Sequence, residues 1–513
     1  MPHVVTQSCC SDGSCVYACP VNCIQPTPDD PAFELAEMLY VDPSTCVDCG
    51  ACVSACPVEA IKPHSQLTDA EQPFLEINAG YYRTPRPRPL LARTVPPLIV
   101  RRSREPLRVA IVGSGPAAMY AADEVLTIPR ARVSMFERLP VPYGLARFGV
   151  APDHQRTRNV SRQLDVITEQ PGFRLVTGVE VGRDVTHEEL LADHHAVIYA
   201  VGASSDRRLE IPGVELPGTA SATEFVAWYN GHPDVADRTF DLRHERVVVI
   251  GNGNVALDVA RILTVDPETL AGTDIAPAAL RTLRASRVRE VMVIGRRGPS
   301  QSSFTLPELV GLSRTPGVEL ALEPGALDGA PADDPKLRLL HDLGADHRDG
   351  RRIVLRYRLS PVRVLGRDRV EGVELERGEL VGDDAQIRLT GERETVATGL
   401  LLSSIGYRGR PVPGLPFGAA TGTVPHECGR VIDSDSRAPV PGVFVAGWIK
   451  RGPTGFIGTN KSCAQETVRS LVDDFNAGLL APRRARSSAW RTRKTNRSRA
   501  RPSSGLVSAG STR

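Results

Sequence analysis

Leu107-Arg-Val-Ala-Ile-Val-Gly-Ser-Gly-Pro-Ala-Ala-Met119 reads as a buried strand from Val109 to Val112, a glycine turn from Gly113 to Ala118, and a helix from Ala117 to Leu126. That order sets a helix N-terminus, with its unsatisfied amides and positive dipole end, where a pyrophosphate binds. Gly113 and Gly115 let the backbone approach such an anion, and Ala117 opens the helix that faces it. A second strand, Val133 to Phe136, ends in Glu137, whose carboxylate accepts hydrogen bonds from ribose hydroxyls and repels a 2′-phosphate. A glycine fingerprint alone is equally a tight strand-to-helix turn; strand, helix and spaced acid together point to FAD or NAD. Ala118 stands where the third glycine is usual, and its methyl widens helix-to-strand packing only slightly.

A second unit of this type follows. The strand Val247 to Ile250 leads into Gly251-Asn252-Gly253-Asn254-Val255-Ala256 and a helix to Leu263. Two such units mean two nucleotides and an α/β fold with two Rossmann-like domains. The next strand, Val291 to Ile294, ends in Gly295-Arg296-Arg297 rather than an acid. Paired guanidiniums suit a 2′-phosphate, so this site is expected to take NADP. Elsewhere an arginine pair is as often plain solvated surface; its position at the strand end gives it meaning here.

The chain has 513 residues, 41% hydrophobic and 24% charged, which suits a soluble protein of three or four domains. It contains no run of about 18 apolar residues. Its N-terminus lacks a basic-then-apolar signal pattern, so neither a membrane span nor secretion is indicated and a cytoplasmic location is expected. Formal charge is +2, but ten basic residues lie between Arg483 and Arg513, leaving 52 against 60 acidic ones elsewhere. Nine of the eleven cysteines fall between Cys9 and Cys56. In a reducing compartment that concentration suggests metal ligands rather than disulfides.

Cys46-x2-Cys49-x2-Cys52-x3-Cys56-Pro57 is a bacterial ferredoxin signature, in which three thiolates hold one cluster and the fourth reaches across to another. Moved back by 37 residues, the pattern recurs as Cys9-x2-Asp12-x2-Cys15-x3-Cys19-Pro20, and Val21 matches Val58 as Ile24 matches Ile61. The segment is an internal duplication altered at one ligand position, Asp12. Crossed ligation assigns Cys19, Cys46, Cys49 and Cys52 to a [4Fe-4S] cluster, and Cys9, Cys15 and Cys56 to a second. A carboxylate is a harder ligand than a thiolate and loses its iron readily, so the second centre is expected to be [3Fe-4S], with a second [4Fe-4S] cluster as the alternative. Zinc fits poorly, since it needs four ligands rather than two interlocked quartets each closed by Cys-Pro. Residues 1 to about 65 thus resemble the seven-iron ferredoxins, with Cys10 and Cys23 as extra thiols.

Arg83 to Pro106 carries six prolines and seven arginines and reads as a semi-rigid linker. Without interleaved aromatics it does not read as a nucleic-acid binder. From Pro482 onward the sequence is basic, without acidic residues, and is expected to be disordered.

Leu139-Pro-Val-Pro-Tyr-Gly-Leu-Ala-Arg-Phe-Gly-Val-Ala-Pro-Asp-His154 resembles, almost residue for residue, the segment after the first Rossmann motif of adrenodoxin reductase and its bacterial ferredoxin–NADP reductase relatives. Gly251 to Arg261, Arg296 to Glu308 and Trp448-Ile-Lys-Arg-Gly-Pro-Thr-Gly-Phe-Ile-Gly-Thr-Asn460 resemble the same family. The resemblance implies FAD at the first site, held by Gly113, Gly115, Ala117, Glu137, Leu145, Val181, Trp448, Gly455, Phe456 and Ile457. It implies NADP(H) at the second, with Gly251, Asn252, Gly253, Asn254, Val255, Arg296 and Arg297, and with Glu308 near the nicotinamide end. Trp448 and Glu308 are the residues expected in active-site roles.

The expected domains are an α+β ferredoxin at 1–65, a linker at 66–106, an FAD domain at 107–207 and 396–480, an NADP domain at 208–395, and a tail at 481–513. The expected activity is that of a ferredoxin–NADP reductase, a monomeric flavoprotein passing electrons between NADPH and a ferredoxin or other one-electron acceptor protein. Two rivals share the cofactor set: the electron-input subunit of a larger synthase, and an iron–sulfur redox sensor without catalysis. Disulfide reduction is disfavoured, because Cys428 and Cys463 form no C-x-x-C pair.

Overall fold

The structure, a computed structural model, describes residues 2–84, 96–101, 105–328, 334–343, 350–382 and 386–480. The basic tail and residues 85–95 and 102–104 of the expected linker lie outside the described residues.

In the N-terminal domain the 37-residue repeat is visible in the backbone itself. Strand His3–Val5 pairs antiparallel with Ile61–Pro63, and Ile24–Gln25 with Tyr40–Val41. Helices Ser14–Ala18 and Ala51–Ala55 are each preceded by a left-handed glycine, Gly13 at φ 74° and Gly50 at φ 75°. Ser11 and Asp48 share a positive φ, as do Asn22 and Glu59. Such turns wrap the chain tightly enough for several cysteines to point inward from one short segment.

The domain does not end at 65. Helix Pro73–Tyr81 closes it, burying Phe74 and Asn78. The Asn78 side chain accepts from the amides of Val5 and Val41 at 3.2 and 2.9 Å and donates to the carbonyl of Val5 at 2.9 Å. Tyr82 donates to the carbonyl of Tyr40 at 2.6 Å. The expected linker therefore loses its first part to the ferredoxin fold. At its other end, Asn476 accepts from the Arg101 amide and donates to the Ile99 carbonyl, fastening residues 99–101 to the last helix.

Two parallel sheets carry the rest. In the first, the strands run His426–Glu427, Arg430–Ile432, Pro439–Val445, Ala196–Tyr199, Arg108–Val112, Arg132–Glu137 and Phe173–Thr177, and the last five are mutually parallel. In the second, the all-parallel order is Thr219–Ser221, Leu400–Ser403, Arg246–Ile250, Glu290–Gly295, Arg351–Tyr357 and Val318–Leu322. An antiparallel meander, Leu359–Leu365, Gly372–Val381 and Gln386–Ala397, extends this domain. Leu400–Ser403 corrects the expected boundary at 396: it lies inside the second sheet, between Thr219–Ser221 and Arg246–Ile250. A short apolar run buried on both faces fits either parallel sheet, and only its pairing decides. The crossing between domains is made by Ser205–Asp206 against Tyr407–Arg408.

The ferredoxin unit is seated on both nucleotide domains. Glu37 accepts from the Leu306 amide and pairs with Lys336, both at 2.7 Å, and Val310 is buried in the ferredoxin core. Glu71 joins Lys62 of its own domain at 2.7 Å to Arg156 of the first nucleotide domain at 2.9 Å. Burial alone would raise the Glu71 carboxyl, but hydrogen bonds from Lys62, the Thr68 amide and Arg156 bring it down to about 2 from an ordinary 4.5. A depressed carboxyl stabilises the fold above its unfolded pKa and loses that contribution as pH falls through its folded one. Glu71→Gln is therefore expected to lower stability by about 1–2 kcal/mol at pH 7. In urea unfolding series, its gap from the parent should narrow steadily below pH 4.5.

Candidate functional site

Both glycine turns sit at the carboxyl ends of their sheets, at the places the sequence indicates. Gly113, at φ 96°, lies so close to the opposite strand that a Cβ would stand 2.5 Å from the Ala200 carbonyl oxygen. Gly251, at φ 110°, stands in the same relation to Ser404, at 2.1 Å. Only glycine fits these two positions. A Cβ at Gly115 would meet nothing within 4 Å, so the space before helix Pro116–Leu126 is open where a pyrophosphate would lie. Ala118 and Ala256 are fully buried against their strands, which accommodates both departures from glycine.

Glu137 is buried at the end of its strand, held by the Ser114 hydroxyl at 2.5 Å and the Leu139 amide at 2.8 Å. Leu145 is 37% exposed at the start of helix Leu145–Phe148, and Val181 packs against the core that includes Val112 and Phe136. On the loop after strand Pro439–Val445, the Trp448 indole donates to the Thr454 carbonyl at 2.9 Å and lies 5.3 Å from the Tyr407 ring. Asn460 donates to the carbonyls of Phe456 and Ile457, both at 3.0 Å, fixing the loop that includes Gly455. At Gly447 a Cβ would come within 2.5 Å of the Ala117 Cβ, so this loop is pressed against the first nucleotide turn.

At the second turn, Asn252 reaches Ser302 at 3.5 Å, Gly253 precedes helix Asn254–Thr264, and Val255 packs on the domain core. Asn254 accepts from the Thr305 amide at 2.8 Å, which fixes the N-cap of helix Leu306–Ser313 and thereby Glu308. Arg296 and Arg297 are exposed at the end of their strand, free to meet an anion.

Where the two nucleotide domains meet lies an ionic cluster around the buried Arg261 that motif matching alone does not disclose. Arg261, 4% exposed, binds Asp153 at 2.7 and 3.1 Å, Asp258 at 2.6 Å and Glu308 at 2.9 Å. His154 Nε2 stands 3.8 Å from Asp258 and 3.7 Å from Glu308. Gln7, from the ferredoxin domain, donates to the other Glu308 oxygen at 3.3 Å. Burial would raise Glu308, but His154, Arg261 and Gln7 hold it below the usual glutamate range. Asp258 goes the other way, to about 6, because burial and the nearby Glu308 charge outweigh part of the pull of Arg261. Signals for this cluster were present in the sequence: Asp153-His154 closes the quoted segment, and Asp258 and Arg261 are spaced one helical turn apart.

The cysteines form two groups. Cys19, Cys46, Cys49 and Cys52 line one cavity together with Cys23 and His3. Cys23 Sγ lies 3.3 Å from Cys19 Sγ. In the other group, Cys9 and Cys56 pack against the core that holds Cys15, and burial pushes the Cys15 thiol well up. Cys19, from the first half of the repeat, thus stands with three cysteines of the second. Free thiols gathered in this number, with no disulfide among them, are the donor set of an iron–sulfur cluster, and both sets fit one. The repeat also conserves an amide-to-sulfur bond, Cys23 to Cys19 and Ala60 to Cys56, each at 3.3 Å.

Removing Arg261 strands three carboxylates in a dry site. Arg261→Met is expected to cost at least about 3 kcal/mol in urea unfolding at pH 7, with part of that loss recovered in Arg261→Met/Asp258→Asn. A loss under about 1 kcal/mol would show that the cluster is hydrated and structurally idle.

Residues 107–296 match the pyridine nucleotide-disulphide oxidoreductase family, and residues 39–62 match the 4Fe-4S binding domain. The chain is 56% identical to the probable ferredoxin/ferredoxin–NADP reductase of Mycobacterium tuberculosis, over 94% of this chain and 85% of that one. It is 44% identical to human mitochondrial NADPH:adrenodoxin oxidoreductase, over 73% and 80%. The structure of Mycobacterium tuberculosis FprA in complex with NADPH superposes with a TM-score of 0.70 at 44% identity, covering 74% of this chain and 87% of that one. The chain belongs to the ferredoxin–NADP reductases of the adrenodoxin reductase type, in the branch that carries its own iron–sulfur domain.

Proposed function

We propose that this protein moves electrons between NADPH and one-electron acceptor proteins, using FAD and the clusters of its own ferredoxin domain. The observation that carries this reading is the seating of the cysteine-rich domain on both nucleotide domains, through Glu37, Glu71 and Gln7. When bound, FAD takes a hydride from NADPH and releases its electrons singly, and iron–sulfur clusters pass single electrons onward.

The chain's own residues supply position and charge. Gly113, Gly115 and Ala117 would face the FAD pyrophosphate, and Glu137, held by Ser114 and Leu139, would meet a ribose. Leu145, Val181, Trp448, Gly455, Phe456 and Ile457 would complete the FAD contacts. Gly251 to Val255 would hold the NADPH pyrophosphate, and Arg296 and Arg297 its 2′-phosphate. Glu308, kept ionised by Arg261 and His154, would place a fixed negative charge near the nicotinamide, which carries positive charge when oxidised. Cys19, Cys46, Cys49 and Cys52 would hold a [4Fe-4S] cluster, and Cys9, Cys15 and Cys56, with Asp12 beside them, a [3Fe-4S] cluster. Among the described residues no helix is long and apolar enough to cross a membrane. The docked ferredoxin favours this reading over a sensor without catalysis.

Steady NADPH-dependent reduction of a ferredoxin or a redox dye by the purified holoprotein tests the activity; its absence would remove the proposal. Arg296→Ala/Arg297→Ala should raise the KM for NADPH about ten- to a hundredfold and leave that for NADH nearly unchanged. Equal losses with both nucleotides would count against the pair. The holoprotein should contain seven irons and show, when oxidised, the EPR signal of a three-iron centre. Asp12→Cys should shift the iron content towards eight, and a parent protein already holding eight would overturn the cluster assignment.

A further inference from the structure

The duplicated ferredoxin domain has two nearly equivalent faces, yet they meet different surroundings. On the Asp12 side, the Gly458 amide, next to Ile457 of the flavin loop, donates to the Cys10 carbonyl at 2.7 Å. A Cβ at Gly458 would stand 2.2 Å from the Asp12 nitrogen, 2.3 Å from its Cα and 2.5 Å from the Ser11 carbonyl carbon. These are backbone atoms that cannot swing aside, so the two loops touch only because residue 458 is glycine. Lys461 donates to the Ser14 hydroxyl at 3.3 Å, and that hydroxyl donates to Asp12. Cys10, Val58 and Ala60 are buried in the core of the first nucleotide domain with Ala117 and Tyr120, and Cys9, Cys56 and Ile457 lie against the same core.

The other face looks outward. Cys49, the repeat partner of Asp12, is exposed. Val47 and Val21, which line the cavity of Cys19, Cys46, Cys49 and Cys52, are 59% and 36% exposed.

We infer that electrons pass between the flavin and the ferredoxin domain through the Cys9, Asp12, Cys15 and Cys56 side, and between that domain and the outside acceptor through the Cys19, Cys46, Cys49 and Cys52 side. This rests on the proposed function, in which both sides hold clusters. Electron tunnelling decays exponentially with the gap between centres, so the contact at Gly458 sets which centre the flavin reaches. Each hydride brings two electrons, which leave one at a time. At each passage the flavin is oxidised by one electron and the Asp12-side cluster reduced by one. That cluster is then reoxidised by the four-thiolate cluster, and the outside acceptor takes the electron. Two passages return FAD to its oxidised state and release the proton of the hydride to solvent.

The order is tested in reverse, on the full chain with both clusters. The protein is reduced with dithionite, freed of excess reductant and mixed with NADP⁺, and the EPR signal of the reduced four-iron centre is followed by rapid freezing. In the parent that signal should decay faster with NADP⁺ than in buffer. In Cys15→Ser/Cys56→Ser the reduced signal should still form with dithionite but persist after NADP⁺. Gly458→Leu, which removes no ligand side chain, is compared at matched iron and FAD content and should slow the decay about a hundredfold, because a small displacement of reacting groups has effects of that order. Decay at the parent rate in either variant would overturn the order while leaving the proposed function standing. A parent signal indifferent to NADP⁺ would remove both.

Discussion

The buried guanidinium of Arg261 meets three carboxylates, and the meeting of the two nucleotide domains is arranged around that pairing. A buried cation without partners costs several kcal/mol, so the groups around it cannot drift apart independently. Asp153 comes from the first nucleotide domain, Asp258 from the same helix as Arg261, and Glu308 from helix Leu306–Ser313, whose N-cap Asn254 secures. The second Glu308 oxygen is taken by Gln7 of the ferredoxin domain. Three domains thus share one polar cluster.

Docking breaks the symmetry of the duplicated domain. Its halves share strand pairing, left-handed glycines and amide-to-sulfur bonds, so the isolated unit would offer two similar cluster sites. Once it is seated, Asp12 is buried against the Gly458 loop while Cys49 remains exposed. The one ligand position that departs from cysteine is therefore the one enclosed by the reductase.

Much of this was legible in the chain, because the decisive features are local. Gly113 and Gly251 announce their turns through the residue type that a close strand-to-helix approach requires, and the cysteine spacing announces an internal repeat that the backbone turns display. What escaped was set by long-range pairing. Helix Pro73–Tyr81 has a weak apolar pattern, and its place in the ferredoxin depends on Asn78 bonding to Val5 and Val41, residues far away in sequence. Leu400–Ser403 has the apolar look of any buried parallel strand, so its sheet could not be told from its residues. Arg261 carries its meaning only through partners 108 and 47 residues away. The composition of the linker says nothing of the surface on which the ferredoxin domain rests.

The central claim is that the ferredoxin domain is the reductase's own docked partner, with transfer occurring inside one chain. The most direct measurement is stopped-flow absorbance of cluster reduction by saturating NADPH in a single turnover, repeated across a wide range of protein concentration. The account predicts one rate constant at every concentration, since no encounter between molecules is needed. A rate rising in proportion to protein concentration would contradict it, because electrons would then be reaching the clusters only through collisions between chains.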